Sequence, residues 1–207
     1  QTPNPKPLKR YLTYLNKVKQ RIMKVENLKL EYLLSNDDNE NQKLYEKINI
    51  LFENIENNAL CLVQNIRVEK NALPCAESGD NQTISRFYRD ALNVIQLEMM
   101  KEIKKFQIIE MSIRDISKNK MFKKIQFYDP NITPQIANEI SESNSKAQMY
   151  IKNKFLTEKD NVSRAVDEIN TKLEGIREAE RNLVRINTLI TEFHLLLVKQ
   201  NEKIESI

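Results

Sequence analysis

Apolar residues recur along most of this chain at alternating steps of three and four, the period of a helix with one buried face. Tyr11, Leu15, Val18, Ile22, Val25, Leu28 and Tyr32 carry the pattern first and predict a helix over residues 8–34. Ser35-Asn36-Asp37-Asp38-Asn39 interrupts it and offers capping oxygens to a second helix over residues 41–70. The stripe of that helix is Leu44, Ile48, Leu51, Ile55, Ala59, Leu62 and Ile66, and Pro74 and Gly79 punctuate the loop after it. Tyr88, Leu92, Ile95, Met99, Ile103, Phe106, Ile113 and Ile116 predict a third helix from near Thr83 to near Phe127, stopped by Asp129-Pro130. No such helix can bury its stripe alone, so three of similar length on short loops predict an antiparallel up-down-up bundle.

The domain reading follows: residues 1–7, where proline alternates with polar residues, are a disordered leader, and 8–128 form the three-helix domain. Over 129–161 the pattern weakens into a linker, with a short helix expected around Gln135–Ile140. From Val162 a fourth helical pattern runs to Ile207. Its seam reads Ile176, Ala179, Leu183, Ile186, Ile190, Phe193, Leu197, Gln200, Ile204 and Ile207, in unbroken alternating steps. Residues at that spacing want partner helices to cover them, and the one amide among them, Gln200, is a device for setting register. Leu189 and Leu196 widen the face beyond what a two-stranded coil uses. Left bare it would be an association hazard, so the fourth helix is expected to fold back on the first three.

Composition agrees with an all-α class: two glycines and six prolines in 207 residues leave little room for hairpins. A net charge of +4 excludes nucleic-acid binding on charge alone. Basic residues crowd Lys101–Lys124, read first as a solvated helix face. Cys61 and Cys75 form no disulfide framework. His194, the one histidine, lies off the seam with no second ligand for a metal. With no phosphate loop, nucleophile elbow or Cys/His cluster, the chain is read as a non-enzyme without cofactors. No apolar run is long enough to span a bilayer. The chain opens on Gln1 and stops within a heptad, and is expected to be a piece of a longer protein.

The last stretch resembles the Qa (syntaxin) SNARE motif, in which Leu-Val-x-x-Gln-x-Glu-x-Ile-x-x-Ile surrounds a central glutamine. Here Leu197-Val198-Lys199-Gln200-Asn201-Glu202-Lys203-Ile204-Glu205-Ser206-Ile207 matches, with the apolar pair one place nearer the glutamine. Asn201 stands where glycine is common, off the seam. The three-helix domain is similar to the syntaxin Habc domain. The junction from Phe122 to Thr133 is like that of plasma-membrane syntaxins.

The resemblance implies membrane fusion by zipping of four parallel helices, with Gln200 in a central layer of three glutamines and one arginine. It implies R-SNARE and Qb/Qc SNARE partners, an SM-family regulator and an intramolecular Habc contact that autoinhibits. It also implies a place on the cytoplasmic face of a target membrane, held by a C-terminal anchor beyond Ile207. A helical adaptor or tether, or a lipid-surface-binding bundle, is the alternative, and neither accounts for the glutamine.

Overall fold

The computed structural model describes residues 6–72, 80–142, 146, 149–150, 153 and 159–205. Of these, the side chains of 6–7, 80–82, 128, 141–142, 159–166, 168 and 199–205 lie outside the description. The chain is all-α, with helices α1 Lys6–Leu34, α2 Asp38–Ala72, α3 Asp80–Tyr128, α4 Pro134–Glu142 and α5 Lys159–Glu205, and no strand among the described residues. Residues 1–5 of the expected leader lie outside the description, as do Pro74, Cys75 and Gly79 of the loop after α2.

Local chemistry sets the ends. α1 takes in Pro7, whose fixed φ and missing N–H are tolerated in a first turn. The Asp37 carboxylate caps α2, accepting the N–H groups of Asn39 at 2.8 Å and Glu40 at 3.3 Å. Glu40 in turn accepts the Ser35 hydroxyl at 2.6 Å. α3 ends one residue before Asp129-Pro130, as the proline requires.

The chain divides into two compact units, with boundaries inside α3 (Ile109/Glu110) and inside α5 (Leu183/Val184). The first unit holds α1, α2, the start of α3 and the end of α5. α1 and α2 form an antiparallel hairpin, with Tyr32 beside Tyr45 (ring centroids 6.0 Å apart) and Arg21 donating to the Asn54 carbonyl at 3.3 Å. α3 returns antiparallel to α2, for Glu69 accepts the Tyr88 hydroxyl at 2.9 Å while Phe52 packs on Phe106 at 5.5 Å. α5 runs antiparallel to α3, so four helical segments alternate in direction. The three stripes supply the core, with two exceptions. Leu28 and Leu51 stay half-exposed. Phe52 takes the place expected for Leu51, since its larger ring reaches Phe106.

The second unit, residues 110–183, is built on Met121, Ile125, Ile132, Ala137, Ile140, Ile169, Leu173 and Ile176. Three of these lie in the stretch expected to be linker. Thr133 caps α4 through its hydroxyl, which accepts the Ile136 N–H at 3.4 Å, and Pro134 takes the first helical position. Ile132, Ala137 and Ile140 then face one side and are buried. The Asp129 carboxylate, itself buried, accepts the Asn131 N–H at 3.2 Å and the Tyr150 hydroxyl. Burial and then that carboxylate push the Tyr150 phenol up to about 12.

This unit also buries Glu110, with neither carboxyl oxygen hydrogen-bonded. Burial raises its pKa to about 8; the facing Asn182 amide opposes the shift, and the Glu178 carboxylate adds to it. Folded, the group holds its proton at neutral pH; unfolded, it titrates near the ordinary 4.5. Its contribution to stability is complete below about 4.5, is lost as pH rises through about 8, and is constant above. Melting curves of wild type and Glu110→Gln between pH 4 and 9 should therefore diverge. By linkage over that interval the variant gains on the order of 4 kcal/mol relative to wild type by pH 8, at roughly 2–4 °C per kcal/mol. Equal slopes in both proteins would show that Glu110 is not held neutral.

Candidate helix interface

The part of α5 in the first unit presents Ile186, Leu189, Phe193 and Leu196 to the interior, with Ile190 and Leu197 half-buried beside them. The spacing is that of a broad apolar face, wider than a two-helix seam. Phe193 is fully buried, and covering a side chain of this kind stabilises by about 1.5–3 kcal/mol.

Polar groups fix where along its axis this face sits. Gln96 of α3 is fully buried and donates its amide to the Phe193 carbonyl at 2.8 Å. Its own oxygen accepts Lys70 Nζ at 2.7 Å, and Lys70 also donates to Asn93 at 2.8 Å. A buried amide left unpaired would cost about 1–3 kcal/mol. Here a donor and an acceptor of Gln96 are used, and the bond to one carbonyl is lost if α5 slides by a residue. Burial, then the positive charge of Arg89, lowers the Lys70 pKa to about 8.

A second tie joins α5 to α2. Arg185 Nε donates to Glu56 Oε1 at 2.9 Å and Nη2 donates to the other oxygen, a bidentate pair. The guanidinium also lies 4.8 Å over the Phe52 ring. Gln107 adds an exposed bond to Asn187 at 2.7 Å.

The expected seam residues divide as follows. In the first unit Ile186 and Phe193 are fully buried, and Ile190 and Leu197 are half-buried. In the second unit Ile176 and Ala179 are fully buried and Leu183 half-buried, with Asn182 buried in its stead. The backbones of Gln200 and Ile204 lie in α5; their side chains, and all of Ile207, lie outside the described residues. His194 is exposed. In the basic stretch Lys101 and Lys105 pair with Glu98 at 2.7 Å and Glu102 at 2.9 Å, the short-range pairing of a solvated face.

Gln96, Lys70, Glu56 and Arg185 were not foreseen. One signal for Gln96 was available: Leu92, Gln96, Met99, Ile103, Phe106, Glu110, Ile113 and Ser117 keep alternating four- and three-residue steps. A polar residue on such a line is as informative as Gln200 on α5. No such rule finds Arg185 and Glu56, which meet across 129 residues of sequence.

Among the described residues, no cluster of His, Cys, Asp or Glu is placed to hold a metal ion, and no helix is long and apolar enough to cross a membrane. No family model and no curated protein matches the chain.

Gln96→Ala should destabilise the protein by about 1–2 kcal/mol, the worth of a buried hydrogen bond plus part of the penalty for groups left unpaired. Spin labels at the exposed positions Glu53 and Thr188 locate the effect. Wild type should give one narrow distance distribution, and Gln96→Ala combined with Arg185→Ala a broad one. A narrow distribution in that variant would show that apolar packing alone fixes α5.

Proposed function

We propose that this chain is a Qa-SNARE of the syntaxin type, which drives membrane fusion by donating α5 to a parallel four-helix complex. α1, α2 and α3 regulate access to it. One observation carries the reading. The face of α5 that bears the heptad seam is also the face turned into the first unit, with Ile186 and Phe193 fully buried. A helix cannot offer the same side chains to its own chain and to foreign helices at once. Closure and assembly are therefore alternatives, and Gln96, Lys70, Glu56 and Arg185 set the balance between them.

Mechanistically, opening breaks the Gln96 bond to Phe193 and the Arg185–Glu56 pair, both of which water can replace. The apolar face is then covered by an R-SNARE helix and Qb and Qc helices. Gln200 enters the central layer, where a ring of amides around a guanidinium satisfies its donors and acceptors in one register only. The work on the membranes comes from burial along the seam and needs no bond chemistry. An SM-family regulator is the partner that would set the opening equilibrium, and the membrane contact is through a C-terminal anchor on the cytoplasmic face of a target membrane.

The test uses a chain extended through the rest of the motif, mixed with an arginine-bearing SNARE helix and two glutamine-bearing ones. Gel filtration should show a four-chain complex, with a cooperative melt above that of any component. Gln96→Ala combined with Arg185→Ala should assemble on the order of tenfold faster, about 1.4 kcal/mol of lowered barrier. If neither form yields the complex while both fold normally by circular dichroism, the protein is not a SNARE.

A further inference from the structure

The α1–α2 hairpin of the first unit carries an open groove of about 420 Å³ lined by Lys24, Asn27, Leu28, Lys47, Ile50 and Leu51. Leu28 and Leu51 fall on the core stripes of their helices, yet the structure leaves both half-exposed; Ile50 between them is 60% exposed. These aliphatics form a concave strip that no described part of the chain covers.

The two charged residues that line the strip are both lysines. Lys24 and Lys47 stand at its edges, both exposed, and neither makes an ion pair among the described residues. Along the same stripes lie Lys17 and Arg21 on α1 and Lys43 on α2, with Glu31 and Glu40 nearer the turn of the hairpin. An apolar floor between unpaired cations fits an aliphatic anchor flanked by carboxylates.

We propose that this groove docks an acidic amphipathic segment of a partner protein, with aliphatic side chains on Leu28, Ile50 and Leu51 and carboxylates on Lys24 and Lys47. The inference does not depend on the SNARE reading. The openness of the groove decides against a small apolar acid, which needs most of its surface enclosed to bind. A helix or extended strand laid along the hairpin covers the strip from outside, the geometry of helix-in-groove recognition.

The probe is a labelled helical peptide with Leu at positions spaced i, i+3, i+4 and i+7 and Glu elsewhere, with its Lys-for-Glu counterpart as control. Fluorescence anisotropy should show the acidic peptide binding the intact chain and the basic one at least tenfold more weakly. Lys24→Glu combined with Lys47→Glu should weaken the acidic peptide by about tenfold or more. Ile50→Ser should weaken it at unchanged salt dependence, and Lys118→Glu should have no effect. Backbone NMR shifts on titration should centre on residues 24–28 and 47–51. The proposal is overturned by absence of acidic-peptide binding at millimolar concentration, by equal binding of both peptides, or by shifts centred elsewhere. It is also overturned if the lysine variants abolish binding to phosphatidylserine vesicles or to oleate while leaving the peptide unaffected.

Discussion

The bond from the Gln96 amide to the Phe193 carbonyl is the constraint on which the placement of α5 depends. Apolar burial drives α5 onto its neighbours but is indifferent to small slides, since each turn offers another aliphatic. A single buried donor aimed at one backbone oxygen is not indifferent. It holds only when Phe193 stands opposite Gln96, and Lys70 leaves Gln96 no freedom to turn elsewhere, because it occupies the amide oxygen at 2.7 Å. The tie between Arg185 and Glu56, two turns away along α5, then fixes which way the helix is rotated. Hydrophobic burial supplies the magnitude and four polar side chains supply the specificity.

α3 shows what happens when the same device is used with and without a partner. Gln96 and Glu110 stand two heptads apart on one line of the helix. In the first unit the amide is matched by a donor and an acceptor. In the second unit the carboxyl oxygens of Glu110 are unmatched, and the group avoids the cost of a buried charge by keeping its proton. An aliphatic residue at either place would stabilise α3 more. A satisfied amide defines one alignment, whereas an unsatisfied acid defines none and makes local stability depend on pH. The two polar interruptions therefore do different things despite equivalent positions in the sequence.

Helices were legible in the sequence because their determinants are local. The stripes of α1 and α2, the aspartate cap before α2 and the Asp129-Pro130 stop each lie within a few residues of what they control. Leu28 and Leu51 show the limit of that logic: period places a residue on a face but does not say whether a neighbouring helix reaches it. The short helix expected around Gln135–Ile140 is α4, but the stretch read otherwise as linker because the burial of Ile132, Ala137 and Ile140 depends on α3 and α5 residues far away in sequence. For the interface on α5, the apolar members were readable and their polar fasteners were not, since Arg185 needs Glu56 from another helix to mean anything. The line through Gln96 is as visible in the sequence of α3 as the line through Gln200 is in that of α5.

On the proposed function, the strength of closure cannot be read as simply favourable or unfavourable. If α5 is released only a fraction f of the time, its apparent affinity for partner helices falls by that fraction. A closed state favoured by about 3 kcal/mol would cost more than a hundredfold in affinity. Sealing the face with aliphatics alone would make that penalty hard to adjust, because removing any one of them damages the fold as well. Fasteners such as Gln96, Lys70 and Arg185 are adjustable. Each contributes about 0.5–3 kcal/mol, each can exchange its partner for water, and the loss of one leaves the apolar interior of the first unit in place. A regulator that competed for Glu56 or Gln96 alone could shift the equilibrium by a factor of ten without unfolding anything. The burial of a heptad face beneath polar fasteners is what a releasable helix requires. A helix meant to stay would be better served by leucine at position 96.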